Sequence, residues 1–148
     1  MKQKPQLKKG VDYIGVTCVF FCHDGRGRFL LHKRSKLCQD EQGNWDAGGG
    51  SLEHGEEFEE GVRREIKEEY CTTVLDLKYL GAHNVLRKNK GKKTHWIALI
   101  FVARVDAKKV KIGEPKYMDE IGWFTKDNLP TPLHTQHPRF WPLVEDYI

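Results

Sequence analysis

The residues best suited to chemistry are glutamates gathered in one short segment. Residues 53–69 contain eight glutamates and three basic residues, which gives this segment a charge of −5. Clustered carboxylates repel one another, and a hard divalent cation relieves that repulsion. Carboxylate oxygens are the ligands that Mg²⁺ and Mn²⁺ prefer. The alternative is an acidic helix face in contact with solvent, so the choice depends on where the carboxylates project.

A helix must position these glutamates, and the sequence predicts one over residues 57–70. Its apolar residues recur at every fourth position: Phe58, Val62, Ile66 and Tyr70. This spacing forms a narrow apolar stripe that should face a core. At about 100° per residue, Glu69 projects into the stripe, Glu65 lies beside it, and Glu68 lies roughly 60° further round. Because unpaired carboxylates are costly to bury, this placement favours a metal site over a solvated face.

Glycines precede the predicted helix. Gly49 and Gly50 lack side chains, so their backbone can approach a ligand closely and present N–H groups and carbonyls to it. A glycine pair alone is weak evidence, since most such pairs only form turns. Combined with the glutamates, the pair predicts a cradle for phosphates bridged by a divalent ion.

These residues match a long motif: Gly50-x5-Glu56-x7-Arg64-Glu65-Ile66-x-Glu68-Glu69. The motif resembles the Nudix box and covers about a sixth of the chain. The resemblance implies an α/β (α+β) fold, an αβα sandwich with a central mixed sheet. It also implies a metal-dependent pyrophosphohydrolase that cleaves a nucleoside diphosphate linked to another group.

The resemblance further implies roles for individual residues. Mg²⁺ or Mn²⁺ would be held by the Gly49 carbonyl and three carboxylates: Glu65, Glu68 and Glu69. Arg64 would orient the glutamates through a salt bridge, and Glu56 would brace the loop. We therefore expect the catalytic residues to be Glu65, Glu68 and Arg64.

The general base and the substrate contacts are less constrained by the sequence. Glu65 and Glu68 are candidates for the base, and so are Asp119 and Glu120, which shortly precede Trp123. Substrate contacts are predicted at four residues: Gly49, Gly50, Arg34 and Glu120. Arg34 ends a strand that leads toward the site, so it is either a phosphate ligand or an exposed strand-end arginine.

The chain departs from the Nudix pattern at three positions. Cys71 and Thr72 stand where the motif has glycine and an aliphatic residue, and Gly48 replaces the usual proline. Because glycine readily ends a helix in the left-handed conformation, Cys71 predicts a strained helix exit. None of these departures affects the acidic residues.

Several substrates and two other functions remain open. A nucleoside triphosphate or related nucleotide is favoured, with ADP-ribose, dinucleoside polyphosphates and nucleotide sugars as alternatives. An isopentenyl diphosphate isomerase is another class, suggested by residues 32–35 and 45–46, although its metal-binding and catalytic cysteines have no clear counterpart. A non-catalytic nucleotide- or RNA-binding module is the third class, and the intact glutamates argue against it.

The remaining sequence predicts one domain over residues 11–148, preceded by a flexible basic tail over residues 1–10. Strands are expected at 11–22 and 28–34, joined by a hairpin turn, and at 74–86. Residues 96–102 are apolar at both parities, which predicts a central strand covered on both faces. Residues 87–93 form a basic turn, and residues 138–148 can close the chain with a helix.

Charge and cysteine content limit the classes of partner that the sequence predicts. The net charge of +4 lies entirely in residues 1–10, so the rest of the chain is neutral. Nucleic acid is therefore an unlikely partner, and no membrane segment is expected. The four cysteines lack a Cys-x-x-Cys spacing, which is typical of free thiols in a reducing cytoplasm. The sequence leaves open whether the chain forms a homodimer.

Overall fold

The computed structural model describes residues 2–148, which contain seven strands and two α-helices. In chain order they are β1 (Gly15–His23), β2 (Phe29–Arg34), β3 (Trp45–Asp46), β4 (Gly48–Ser51), α1 (Phe58–Tyr70), β5 (Val74–Asn89), β6 (Lys92–Val105), β7 (Met118–Phe124) and α2 (His137–Val144). Short 3₁₀ turns occupy Ala107–Lys109 and Glu145–Tyr147. The predicted helix is confirmed, beginning one residue later than expected.

The strands form one mixed sheet. β6 lies between β1, which is parallel to it, and β5, which is antiparallel. β1 also pairs with β4, and β2 pairs with β3 and β7. The predicted hairpin between β1 and β2 is reduced to one residue pair, His23 with Phe29. The two strands diverge beyond it because β4 and β6 occupy both edges of β1.

Side chains from β6 alternate between two apolar clusters on opposite faces of the sheet. On the α1 face, Leu99 and Phe101 are buried in the cluster that contains Val62 and Ile66. On the α2 face, Ala98 and Ile100 are buried in the cluster that contains Phe140 and Val144. The central strand covered on both faces and the αβα sandwich are therefore confirmed. α1 is thereby fixed against the sheet, which determines where its glutamates project.

The region predicted as a basic turn is mostly strand. β5 and β6 are long, and a two-residue turn at Lys90 and Gly91 joins them. Both turn residues have positive φ, 50° and 80°, which identifies a type I′ turn. This turn matches the twist of the flanking strands, so the ladder extends to the pair Asn89–Lys92. The basic side chains of residues 87–93 consequently lie along strand ends as well as at the tip.

The residues that precede β1 contact the body of the protein. The backbone N–H of His95 donates to the Gly10 carbonyl at 2.8 Å, and Gly10 N–H donates to Tyr13 O at 2.8 Å. Gly10 is buried against the Trp96 indole. The end of the predicted tail therefore lies beside β6. None of the helices within residues 2–148 has the length and apolar character needed to cross a membrane.

Candidate active site

The site is built on α1. The buried apolar stripe of this helix determines the direction in which its glutamates project. Val62, Ile66 and Tyr70 are fully buried, as their four-residue spacing predicts. Phe58 belongs to the same sequence pattern but is 45% exposed, because it lies at the first turn of the helix. Its ring packs instead beside Tyr79, with the ring centroids 6.1 Å apart. The core contact of α1 therefore comes from its last two and a half turns, where Glu65, Glu68 and Glu69 also lie.

The glycine strand β4 packs directly against these glutamates. An atom added as Cβ at Gly50 would lie 2.1 Å from the Glu65 carboxyl carbon, and one at Gly48 would lie 2.8 Å from Glu69 Oε2. At Gly49 the added atom would meet the Cys18 carbonyl at 2.8 Å. All three distances are below normal contact, so an added side chain would have to displace Glu65, Glu69 or the Cys18 backbone. The glycine segment that was expected to cradle phosphates is therefore strand β4, and the carboxylates of Glu65 and Glu69 pack against it.

Three carboxylates come together beside this strand. Glu65, Glu68 and Glu114 each offer an oxygen, and these oxygens all lie within 4.8 Å of one another. Oxygens that bind one Mg²⁺ lie at 2.0–2.1 Å from it, so ligands on opposite sides are separated by about 4 Å. The spacing and the all-oxygen chemistry of the group fit Mg²⁺ or Mn²⁺. Two of the three residues were predicted as metal ligands, and Glu114 was missed.

Glu114 reaches the site because its loop is anchored to the end of α1. The N–H of Lys111 donates to Tyr70 O at 3.1 Å, and the N–H of Gly113 donates to Glu69 O at 2.8 Å. These carbonyls belong to the last turn of α1, where the helix provides no partner for them. An added Cβ at Gly113 would lie 2.0 Å from Glu68 O, so glycine is required there. The sequence signal that could have indicated Glu114 is the glycine before it, Gly113. This glycine has no regular spacing to the helix, so it did not identify Glu114 as part of the site.

Arg64 connects the acidic residues of the loop and the helix. Its guanidinium donates to Glu56 through Nε at 2.7 Å and through the NH2 nitrogen at 3.0 Å. It also donates to Glu65 at 2.8 Å, to Glu68 at 3.4 Å and to the Ser51 carbonyl at 3.2 Å. The hydrogen bonds from Arg64 hold the pKa of Glu56 down at about 2. Arg64 therefore lies where the resemblance to the Nudix box expected an orienting arginine.

Glu69 is buried without a cationic partner among residues 2–148. Its side chain is directed toward β4, where Oε2 accepts a hydrogen bond from Gly49 N–H at 3.3 Å. Burial raises the pKa of Glu69 well above its usual range, and the charges of Glu65 and Glu114 raise it further. Burial likewise raises the pKa of Glu65. A bound cation would reverse this penalty, because it favours the ionised forms of both carboxylates.

A cleft of about 1010 Å³ opens beside the glycine strand. Its wall includes β4 and Glu69, and also Arg34. Arg34 forms ion pairs with Asp40 at 3.0 Å and Asp46 at 3.4 Å. A buried pair, His32 Nδ1 and Tyr70 Oη at 2.7 Å, separates this cleft from the core. Burial lowers the pKa of His32 to about 4, so the ring is neutral at pH 7.

Asp119 and Glu120 lie apart from the acidic group. Both are exposed on β7, where Glu120 pairs in register with Lys33 of β2. Glu120 was predicted to contact substrate, yet it is neither in the carboxylate group nor in the wall of the cleft. The period of two along β7 directs its side chain away from α1.

Several other polar and aromatic side chains make contacts within the fold. Trp45 packs edge-on against Phe124, and His95 Nε2 lies 2.9 Å from Asn84 Oδ1. His137 stacks on Trp141 in the α2 cluster. Cys71 ends α1 with φ of 56°, the left-handed conformation in which glycine is usual, as its position in the motif predicts.

Comparison with protein families gives a match over nearly the whole chain. The NUDIX domain model matches residues 13–146. An 8-oxo-dGDP phosphatase, NUDT18, of Mus musculus is 27% identical over 135 residues, which cover 86% of this chain and 36% of that protein. A NAD-capped RNA hydrolase, NudC, of Chromobacterium violaceum is 32% identical over 115 residues, which cover 76% of this chain and 40% of that protein. The chain therefore spans well under half the length of these relatives.

A solved structure agrees in fold over most of both chains. A MutT Nudix hydrolase from Burkholderia pseudomallei superposes with a TM-score of 0.76 at 28% sequence identity, covering 92% of this chain and 99% of that one. The family model and the names of these relatives, a phosphatase and a hydrolase, describe the same family. The glutamate helix, the glycine strand and the match over residues 13–146 agree, and the chain belongs to the Nudix family.

Proposed function

We propose that this protein is a divalent-metal-dependent pyrophosphohydrolase that cleaves a phosphoanhydride bond in a nucleotide. The observation that carries the proposal is the group formed by Glu65, Glu68 and Glu114 beside the glycine strand. In this group the carboxylates outnumber the protein's own cations, so it requires a further positive charge. A nucleotide with a metal ion on its phosphates matches the site. The carboxylates would hold the ion, and the phosphates would lie against the backbone of the glycine strand.

A bound Mg²⁺ or Mn²⁺ would polarise the phosphate oxygens and lower the pKa of a bound water. Glu65, Glu68 and Glu114 would hold the ion, with Glu69 and the Gly49 carbonyl as further candidates. The protein's own contribution is orientation. Arg64 fixes Glu65 and Glu68 by hydrogen bonds, and positioned groups of this kind lower the barrier by removing the need to reorganise during reaction.

The proton of the attacking water would pass to one of the carboxylates. Glu68 is the most accessible ion-pair partner of Arg64 within α1, with half of its side chain exposed. A general base must lie within hydrogen-bond reach of the water, which favours a residue of the carboxylate group over Asp119 or Glu120. We assign the role to Glu68 and keep Glu65 as the alternative.

For the substrate we propose a nucleoside triphosphate or a related nucleotide. The volume of the cleft, about 1010 Å³, is sufficient for a nucleotide. Its wall combines apolar residues, such as Val85, Ala98 and Phe140, with the backbone of β4. The names of the two relatives, an 8-oxo-dGDP phosphatase and a NAD-capped RNA hydrolase, support a nucleotide substrate.

The test is a product-release screen with Mg²⁺ or Mn²⁺ and with a chelator as control. Chromatography detects the nucleoside monophosphate and the pyrophosphate, sugar phosphate or second nucleotide released with it. Nucleoside triphosphates and diphosphates, ADP-ribose, dinucleoside polyphosphates and nucleotide sugars are compared at equal concentration. We expect metal-dependent release, greatest with a nucleoside triphosphate, and loss of release in Glu68→Gln. Binding of metal and nucleotide without release from any substrate would contradict the proposal and support a non-catalytic binding module.

A further inference from the structure

Two basic segments that are far apart in the sequence meet at one cleft. Lys8 and Lys9 precede β1, and Lys90 and Lys92 lie at the turn between β5 and β6. All four line the cleft that opens beside the glycine strand. We call these four residues the lysine rim. Read separately in the sequence, the segments predict a solvated tail and a solvated hairpin tip.

Backbone contacts hold the rim in place. The hydrogen bond from His95 N–H to the Gly10 carbonyl attaches the N-terminal segment to β6, three residues from Lys92. Gly10 lies so close to Trp96 that an added Cβ would be 2.2 Å from the indole nitrogen. The type I′ turn fixes the other half of the rim. The lysines therefore share the cleft because the backbone brings them there.

The charges of the rim are not compensated by the protein. All four lysines are exposed, and none forms an ion pair among residues 2–148. Arg34 and Arg87, which line the same cleft, are both paired with Asp40. Like charges gathered on one cleft are unfavourable by themselves, and they concentrate anions there. The rim therefore fits a ligand that carries several negative charges.

The position of the rim indicates a ligand longer than one nucleotide. Val19 pairs with Gly49 on one side and with Ile100 on the other, so Ile100 is level with the glycine strand. From Ile100 to Lys92 is eight residues of β6, or about 27 Å at the rise of a strand. The half of the rim formed by Lys8 and Lys9 is nearer, because Gly10 is hydrogen-bonded to His95, five residues or about 17 Å from Ile100. Lys90 and Lys92 form the far half, and they lie beyond the extended length of one nucleoside triphosphate at the carboxylate group. A substrate that reaches both the carboxylate group and the far half of the rim must continue as an anionic chain.

We propose that the lysine rim binds the phosphate backbone of a single-stranded oligonucleotide whose 5′ phosphates lie at the carboxylate group. This inference rests on the proposed function, since it assumes that the phosphates cleaved are those beside the glycine strand. Lysine contacts the backbone as a point charge and reads no base. The rim therefore selects for chain length and charge rather than for sequence.

The test measures binding of 5′-triphosphorylated RNA oligonucleotides of one to eight nucleotides with Mg²⁺ present. Methylene groups replace the bridging oxygens of the triphosphate, so that no cleavage occurs. We expect affinity to rise with length and to fall steeply with salt. Each phosphate contact contributes about 0.7 to the slope of log affinity against log salt for single strands. K8Q/K9Q and K90Q/K92Q should therefore each lower the magnitude of that slope by about 1.4 for the octamer.

The matched control is K108Q/K109Q, which removes two exposed lysines beyond the opposite end of β6 and should leave the slope unchanged. An equal slope in all three variants and the wild type would overturn the inference. So would an equal loss of affinity for a mononucleotide and for the octamer, because the rim would then contact the nucleotide's own phosphates. Metal-dependent release from nucleoside triphosphates is measured separately, so failure of the rim and failure of the proposed function are distinguishable.

Discussion

Two acidic clusters in this protein differ in how many cationic side chains accompany their carboxylates. Asp40, Glu41 and Asp46 lie with Arg34, Arg87 and His134, and each carboxylate has at least one partner within 3.4 Å or a nearby imidazole. The cluster on α1 has more carboxylates and one arginine: Glu53, Glu56, Glu65 and Glu68 all pair with Arg64. Glu69 and Glu114 have no ion-pair partner among residues 2–148.

This difference is the reason why we propose a metal ion at one cluster and not at the other. In the first cluster two guanidinium groups are shared by three carboxylates, and each carboxylate has an arginine partner, so most of the negative charge is compensated within the protein. In the second cluster one guanidinium is shared, and the excess negative charge is held beside a glycine strand and in part buried. The two clusters differ most in the ratio of arginines to carboxylates, which is two to three in the first cluster and one to six in the second.

The largest expected effect is loss of turnover in Glu68→Gln. The substitution removes one charge from the carboxylate group while the half-exposed side chain keeps its shape. We expect turnover to fall by about 100-fold or more and metal affinity by about 10-fold or more, because a ligand and the proposed base are both lost. Product release and calorimetric titration with Mn²⁺ measure these effects. Glu60→Gln, on the exposed face of α1, is the control, and near-normal turnover in Glu68→Gln would contradict the assignment.

Gly50→Ala tests whether the glycine strand must touch the carboxylates. The added methyl group would overlap the Glu65 carboxylate, whose atoms would lie 2.1–2.4 Å from it. We expect a loss of about 1–3 kcal/mol of stability from overpacking, and lower metal affinity because Glu65 must move. Thermal unfolding and metal titration report the two effects. Ser51→Ala on the same strand is the control, since its backbone carbonyl still accepts from Arg64.

Asp40→Asn tests the compensated cluster. It removes the negative charge shared by Arg34 and Arg87 but keeps an oxygen at the same place. We expect a stability loss of about 1 kcal/mol and no change in Mn²⁺ affinity, because this cluster does not require a metal. Urea denaturation and the same calorimetric titration measure the outcome. A 10-fold loss of metal affinity would remove the distinction between the two clusters.

The smallest expected effect is the pH dependence of Glu56→Gln. The pKa of Glu56 is held at about 2 in the folded protein, below its value of 4.5 without the fold. A depressed folded pKa contributes stability above pH 4.5, and that contribution is lost as pH falls toward 2. Glu56→Gln should therefore be less stable than the wild type at pH 7, and the difference should shrink below pH 4.5. A difference that stays constant from pH 7 to pH 3 would show that ionisation of Glu56 does not matter.

Local patterns predicted much of the fold and of the site. The four-residue spacing of Val62, Ile66 and Tyr70 determines which face of α1 is buried, and the helix period then determines where Glu65, Glu68 and Glu69 project. The central strand is readable because β6 is apolar at both parities. Phe58 departed from its pattern because it occupies the first turn of α1, where its ring stays half-exposed beside Tyr79 at the surface of the sheet.

Contacts between distant segments were beyond sequence patterns. Glu114 joins Glu65 and Glu68 only because Lys111 and Gly113 donate to the last carbonyls of α1, and no regular spacing encodes such a loop anchor. The two basic segments of the lysine rim are likewise about 80 residues apart. Each segment by itself resembles a solvated surface. The hydrogen bond between His95 and Gly10 brings the N-terminal segment beside β6, close to the second basic segment.

The sequence by itself determined the family, the helix and the residues of its acidic face, since these depend on a linear motif and a local period. The tertiary structure alone decided which carboxylates form a group, which are neutralised by arginine and which basic residues share a cleft. Electrostatic balance depends on distances of a few ångströms between groups far apart in the chain. The net charge of +4 therefore conceals both the excess of carboxylates beside α1 and the lysine rim.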